Sequence, residues 1–300
     1  PDLFIDDDLT FTSDGAVITF GADGDTTLTH TDGSGLTLNS TNKIMFNDAS
    51  QFIQGSSATV LALGATDEID LTATAMDFNG TVTISGDTTL EDGADLITAS
   101  AGTSNTRIGV NTGNSITSGG NYNVLVGDEA GTALTTGDNN VAVGFEALKT
   151  EDAHGNNVAV GYQALKTLDV GADGFNTAVG YLSGTAMTTG QNNSLLGAQS
   201  GVAFTDADGN TALGAYTLTN DTRGSQSTAV GSQALQNQNF TTATDAYNTA
   251  VGALAGNAVT TGIRNTLIGG NSGDSITDAD NNTTVGFNTL ISNVLGSKSI

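Results

Sequence analysis

Few residues in this 300-residue chain could break a covalent bond. Cleaving a glycan needs two carboxyl groups about 5–10 Å apart, and the five glutamates are Glu68, Glu91, Glu129, Glu146 and Glu151. They are scattered, and Glu129 and Glu146, which are 17 residues apart, would only set like charges side by side. Solubility explains such carboxylates without further chemistry. No nucleophile motif, phosphate loop or metal-ligand spacing occurs. The chain is therefore expected not to be an enzyme, with no catalytic, cofactor-binding or metal residues.

Two groups of residues have types that can hold an ion. Asp-rich turns recur at Asp23–Asp25, Asp173, Asp206–Asp208 and Asp278–Asp280, and calcium wants several oxygens converging on one point. Turn chemistry accounts for them equally, because Asp and Asn bond their own backbone, and no complete calcium-loop motif is present. The two histidines are His30 and His154. If three copies met on an axis, one histidine from each would supply three ligands to one ion; an ordinary stacked or surface histidine is the expectation.

Composition narrows the class. Lys and Arg number 7 against 32 acids, a formal charge of −25, so no basic patch for nucleic acid can form. Forty glycines, one proline and only 13% charged residues suit stacked strands and turns better than packed helices. Cysteine is absent, so disulfides play no part. No apolar run of about 18 residues offers a membrane span. The chain starts at Pro1 without a secretion signal and is expected to be a piece of something longer.

The element that must position any site is a repeat. A motif Asn–(Thr/Val/Ser)–small–aliphatic–Gly recurs eleven times, ending at Gly109, Gly127, Gly144, Gly161, Gly180, Gly197, Gly214, Gly231, Gly252, Gly269 and Gly286. The spacings are 18, 17, 17, 19, 17, 17, 17, 21, 17 and 17 residues. A 17-residue unit is too short for a helical hairpin and fits one coil of a β-solenoid. Four residues before the glycine stand Asn105, Asn123, Asn140, Asn157, Asn176, Asn193, Asn210, Asn248, Asn265 and Asn282, with Ser227 in the remaining coil. Coils stacked about 4.8 Å apart would bring these amides into a ladder that pins register.

Position −1 relative to the glycine is always aliphatic and is expected to point into the core. By strand alternation, position −2 then faces outward: Leu125, Ala142, Ala159, Ala178, Leu195, Ala212, Ala229, Ala250 and Leu267, with Arg107 and Thr284 departing near the ends. A small apolar stripe facing out implies burial against another copy, so these nine are the expected oligomer interface. Position +4 alternates in pairs, Gly113, Gly131, Leu148, Leu165, Gly184, Gly201, Leu218, Leu235, Gly256, Gly273, Leu290. Glycine coils carry a large apolar residue at +7, from Ile116 to Ile276, whereas leucine coils mostly carry Glu151, Asp221, Gln238 or Asn293 there. Volume per layer is thereby roughly kept, as close packing requires. Phe145, Tyr162, Tyr181 and Phe287 follow the repeat glycine; packing over neighbouring coils is expected in preference to sugar stacking. The flat Thr-x-Thr ranks of an ice-binding array are not supplied.

The strings NVAVG (157–161) and NTAVG (176–180, 248–252) resemble the head repeats of trimeric autotransporter adhesins. That resemblance, over roughly 105–290, implies parallel β-rolls packed three about an axis. The family's coiled-coil stalk and membrane anchor do not occur in the sequence, and the period here carries insertions. Residues 1–100 show short alternating pairs: Leu9/Phe11, Ile18/Phe20, Leu36/Leu38, Ile44/Phe46, Leu61/Leu63, Ile69/Leu71, Met76/Phe78 and Val82/Ile84. Turn-forming Asp-Gly and Asn-Gly pairs separate them. Segments 18–46 and 67–86 are similar to the shafts of structural fibres in marine, cyanophage-like tailed bacteriophages.

The expected architecture is all-β and elongated, an intertwined strand shaft (1–86), a junction (87–104) and a parallel β-solenoid of about eleven coils (105–300). The expected function is that of a structural subunit of a homotrimeric virion tail fibre projecting toward the host surface. Other fibre or baseplate proteins and a host glycan or receptor are the expected partners, with no nucleic acid and no membrane insertion. A bacterial extracellular adhesin or surface filament is the alternative, and a glycan-cleaving spike the third reading.

Overall fold

The computed structural model describes residues 101–292 continuously. It also describes 10–13, 15–20, 26–31, 35–38, 43–46, 48–57, 60–64 and positions 69, 82, 85, 297 and 298. The chain divides into two compact units, Pro1–Thr88 and Thr89–Ile300.

In the first unit, β1 (Val17–Phe20), β2 (Thr26–Thr31) and β3 (Gly35–Leu38) form one antiparallel sheet. A second is built from β4 (Lys43–Phe46), β5 (Asp48–Ser57) and β6 (Val60–Gly64), with bulges between Met45 and Phe46 and between Gly55 and Ser57. The expected pairs Ile18/Phe20, Leu36/Leu38, Ile44/Phe46 and Leu61/Leu63 fall within these strands, which pair inside the chain. Leu9, Leu71, Met76, Phe78 and Ile84 lie outside the described residues. Phe11, Val17, Ile18, Phe20, Ile44, Ile53, Leu61 and Leu63 are exposed, which is what a single sheet layer offers when nothing covers it.

The second unit carries β7 (Thr106–Ile108), β8 (Val124–Val126), β9 (Val141–Val143), β10 (Val158–Val160), β11 (Thr177–Val179), β12 (Ser194–Leu196) and β13 (Thr211–Leu213). It continues through β14 (Gly224–Ser225), β15 (Thr228–Val230), β16 (Thr244–Asp245), β17 (Thr249–Val251), β18 (Thr266–Ile268) and β19 (Thr283–Val285). Eleven of these strands stack in chain order as one parallel sheet, while β14 pairs β16 separately. No helix occurs among the described residues. Registers align motif on motif, for example Val141 with Val158 and Ala159 with Ala178. The fold is a β-solenoid of about eleven coils.

Each strand ends at the repeat glycine because the chain must turn a corner there. These glycines hold φ between +122° and +142°, backbone that other residues rarely adopt.

The strand faces are opposite to the expectation from sequence. Ala142, Ala159, Ala178, Ala212, Ala229, Ala250 and Leu267 are fully buried within one chain, and Leu125 and Leu195 equally so. They line the solenoid interior and form no intermolecular surface. Position −1 faces outward instead: Ile108, Leu196, Leu213, Ile268 and Val285 are exposed, and Val126, Val143, Val160, Val179, Val230 and Val251 are half-buried. The physical reason is the thinness of the interior. The −2 side chain faces the +4 side chain across the coil, and a methyl group at −2 is what fits opposite leucine.

The same geometry explains the paired alternation. A β-carbon placed on Gly184 would lie 3.0 Å from Leu195 Cδ1, and one on Gly201 would lie 3.2 Å from that same carbon. Leu125 fills the space beside Gly113 and Gly131 in the same way, and Leu267 the space beside Gly256 and Gly273. One leucine at −2 therefore spreads over two layers, and both layers need glycine at +4. Where −2 is alanine in both layers, Leu148 and Leu165, or Leu218 and Leu235, fill the interior from the other wall.

Candidate functional site

Inside the strand wall runs the asparagine column, buried throughout. Its bonding is chiefly side chain to backbone. Asn193 Oδ1 accepts the N–H of Asn210 at 2.9 Å, and Asn193 Nδ2 donates to the Ala207 carbonyl at 2.7 Å. The pattern repeats at Asn123, Asn176, Asn210 and Asn265. Direct amide–amide bonds of 3.1–3.4 Å join Asn140–Asn157, Asn157–Asn176, Asn176–Asn193, Asn193–Asn210 and Asn265–Asn282. Substituting Asn193→Ala strands a buried donor and a buried acceptor. Urea denaturation is expected to register a loss of about 2–4 kcal/mol.

The column is interrupted at Ser227, and the repair comes from elsewhere in the coil. Gln238 donates to Asp221 Oδ2 at 2.6 Å and to Ser227 Oγ at 3.2 Å, and its carbonyl accepts from Asn248 Nδ2 at 2.8 Å. Asp221 Oδ1 also accepts the backbone N–H groups of Gly224 and Phe240, each at 3.0 Å. Asp221 is fully buried, and that burial raises its carboxyl above the usual range against the lowering effect of these donors. Glu151, the +7 residue of another leucine coil, is likewise fully buried and its carboxyl raised by desolvation.

The outward strand face runs the length of the eleven-strand sheet. Its positions −3 and −1 in eleven coils hold Thr, Val, Ser, Ile and Leu without one charge, in a chain of net charge −25. Parallel strands carry this stripe in register from Thr106 to Val285.

Beyond the glycine corner, Phe145, Tyr162 and Tyr181 stack coil on coil, with ring centroids 5.5 Å apart and planes within 20°. The rings stack along neighbouring coils while Phe145, Tyr162 and Tyr181 each remain exposed to solvent. Phe287 is exposed near the end of the array.

Next to them Lys149 reaches Glu129 at 2.5 Å and Glu146 at 2.6 Å, while Lys166 reaches Glu146 at 2.6 Å. The stacked glutamates thus have one cation, Lys149, between them, which spacing of glutamates alone did not reveal. Lys149 first, then Lys166, holds the Glu146 carboxyl down to about 2 from the ordinary 4.5. A folded pKa below the unfolded one gives stability that is complete above about pH 4.5 and lost as pH falls through about 2. Relative to Glu146→Gln, the native chain is expected to be more stable by about 1 kcal/mol at neutral pH. That difference should vanish near pH 2 in melting curves taken across this range.

The Asp-rich turns cap backbone of the preceding coil. Asp173 Oδ1 accepts the N–H of Gly155, Asp208 that of Gln191 and Asp280 that of Ile263, at 2.7–3.1 Å. Asp206 pairs with Arg223 at 3.4 Å. Asp23 and Asp25 lie outside the described residues. His30 is half-buried in β2 beside a hollow lined by Phe11, Ala16, Ile18 and Leu28. His154 sits at a corner with Glu151 and Asp152, where one ligand atom from each lies within 4.8 Å of the others.

Among the described residues, no helix is long and apolar enough to cross a membrane. Compared with known proteins, the chain matches no family model, no curated protein and no solved structure.

Proposed function

We propose that this chain is a structural subunit of a homotrimeric extracellular fibre, a virion tail fibre, in which the solenoid serves as a stiff rod. The observation that carries this reading is the uncharged outward sheet face of eleven strands in register. A surface so long and free of charge, on a chain so acidic, favours burial. A partner that covers it must repeat every ~4.8 Å along the rod. A second copy has that period by construction. The number three rests on the resemblance to autotransporter adhesin heads, and the virion setting on the resemblance of the N-terminal segments to phage fibre shafts. Host receptor and neighbouring fibre proteins would engage the ends of the rod rather than its sealed sheet.

The mechanism is mechanical. Backbone ladders, the asparagine column and the interlocked leucines resist local unfolding and proteolysis over a length of about 50 Å, at one strand spacing per coil. Sedimentation equilibrium on the purified chain tests the assembly: a mass of three times 30.0 kDa is expected. A single-chain mass at milligram concentrations would sink the proposal. Gold-labelled antibody against residues 105–290 tests the setting, with label on tail fibres of particles expected. Label on bacterial surfaces instead would favour the adhesin reading, whose support is the NVAVG and NTAVG strings.

A further inference from the structure

We infer that Glu151, Asp152 and His154 form a binding site for one divalent transition-metal ion of the zinc class. Two separate features meet at this corner. The first is a carboxylate set where the fold otherwise places hydrocarbon. Glu151 occupies the +7 position, which Leu134 and Leu168 fill in the coils on either side, and it is fully buried. It accepts the N–H of His154 at 3.1 Å and that of Val170 at 3.2 Å, with no side-chain donor. Asp221, the equivalent residue of a later coil, has two backbone donors and the Gln238 amide at 2.6 Å. Glu151 lacks that third partner. A buried carboxylate is costly unless paired or coordinated.

The second feature is the imidazole. His154 Nδ1 is sealed from solvent, makes no hydrogen bond and stands 3.7 Å from Glu151 Oε1. A buried imidazole nitrogen without a hydrogen-bond partner thus stands beside a buried carboxylate, two groups that a metal ion can take as ligands. Asp152, exposed at the same corner, completes the set within 4.8 Å. Bonds of about 2.0–2.2 Å place zinc ligands roughly 3.3 Å apart. Closing the remaining gap takes side-chain rotation of Asp152 and His154 at the surface, while Glu151 stays fixed.

The donor chemistry selects the ion. One imidazole nitrogen and two carboxylate oxygens suit zinc and its neighbours, with water at the open position. Calcium wants six to eight oxygens, which this corner does not gather. The bound ion would neutralise an interior charge and clip the turn after Leu148 to the body of its coil.

The test uses the tag-free full chain, stripped with a chelator and desalted. Zinc is titrated calorimetrically, and zinc retained after desalting is counted per chain. The native chain is expected to hold one ion more than Glu151→Gln or His154→Ala, each weakening that site at least tenfold. Zinc held elsewhere appears equally in all three and cancels. Equal zinc binding by native chain and variants, or none by any, overturns the inference. Calcium separating native chain from variants where zinc does not would overturn the assignment of ion class. Should Glu151→Gln fail to fold, His154→Ala alone decides, since its side chain is one-third exposed.

Discussion

Gly197→Ala is expected to cost about 2–6 kcal/mol, a large loss for the addition of one methyl group. Two penalties combine. At φ +142° an L side chain is strained, worth about 1–3 kcal/mol. The added carbon would also lie 2.4 Å from the Gly214 carbonyl oxygen and 2.5 Å from its carbon. Both atoms are backbone of the next coil, so relief requires prying the stack apart. Such overpacking adds about 1–3 kcal/mol. Gly286 separates the two terms. Its φ of +135° is similar, yet the nearest atom to an added carbon is Thr289 Cγ2 at 3.0 Å. Gly286→Ala should therefore show the backbone penalty alone, about 1–3 kcal/mol. Melting temperatures of the two variants check this. Equal losses would mean the glycine column is not set by stacking.

The second large effect concerns the outward face. Val160→Glu and Val179→Glu put charges on neighbouring strands β10 and β11, where the native side chains are half-buried in the single chain. Within one chain such a surface change is cheap, ordinarily within about 0.5 kcal/mol. In an assembly covering that face, charges would be buried without partners, which costs several kcal/mol each. The double variant is expected to remain folded by circular dichroism and to sediment as a single chain. Ala159→Glu makes the reverse comparison. Its side chain is fully buried among Leu165 and the layers around it, so that variant should fail to fold. A double variant that still associates would remove the sheet face from consideration as the contact.

These two experiments fall on opposite sides of the feature hardest to see in the sequence. The eleven glycines and their near-constant interval were enough to place every coil, because backbone of that φ admits almost nothing else. Which strand face points inward was not legible from position −1 being aliphatic. Val, Ile and Leu serve equally well inside a coil or at a covered surface. The informative signal lay in two columns together: Leu125, Leu195 and Leu267 coincide with glycine at +4, and the alanines coincide with leucine there in four coils. Residues that trade volume this way must face each other. Ser227 looked like a plain exception, since its compensation by Gln238 comes through a turn in the chain. Lys149 bridging Glu129 and Glu146 was hidden for the same reason, being 20 residues from one partner and three from the other.

The leucines that straddle two layers also set how such a rod can change length. Removing one coil would bring a leucine against a leucine, or leave an alanine facing a glycine across an empty gap. Loss or gain of all four coil types together preserves every match, so the tolerated increment is about 19 Å of rod. Lengths of related rods should accordingly be graduated like a ruler, in steps of four layers.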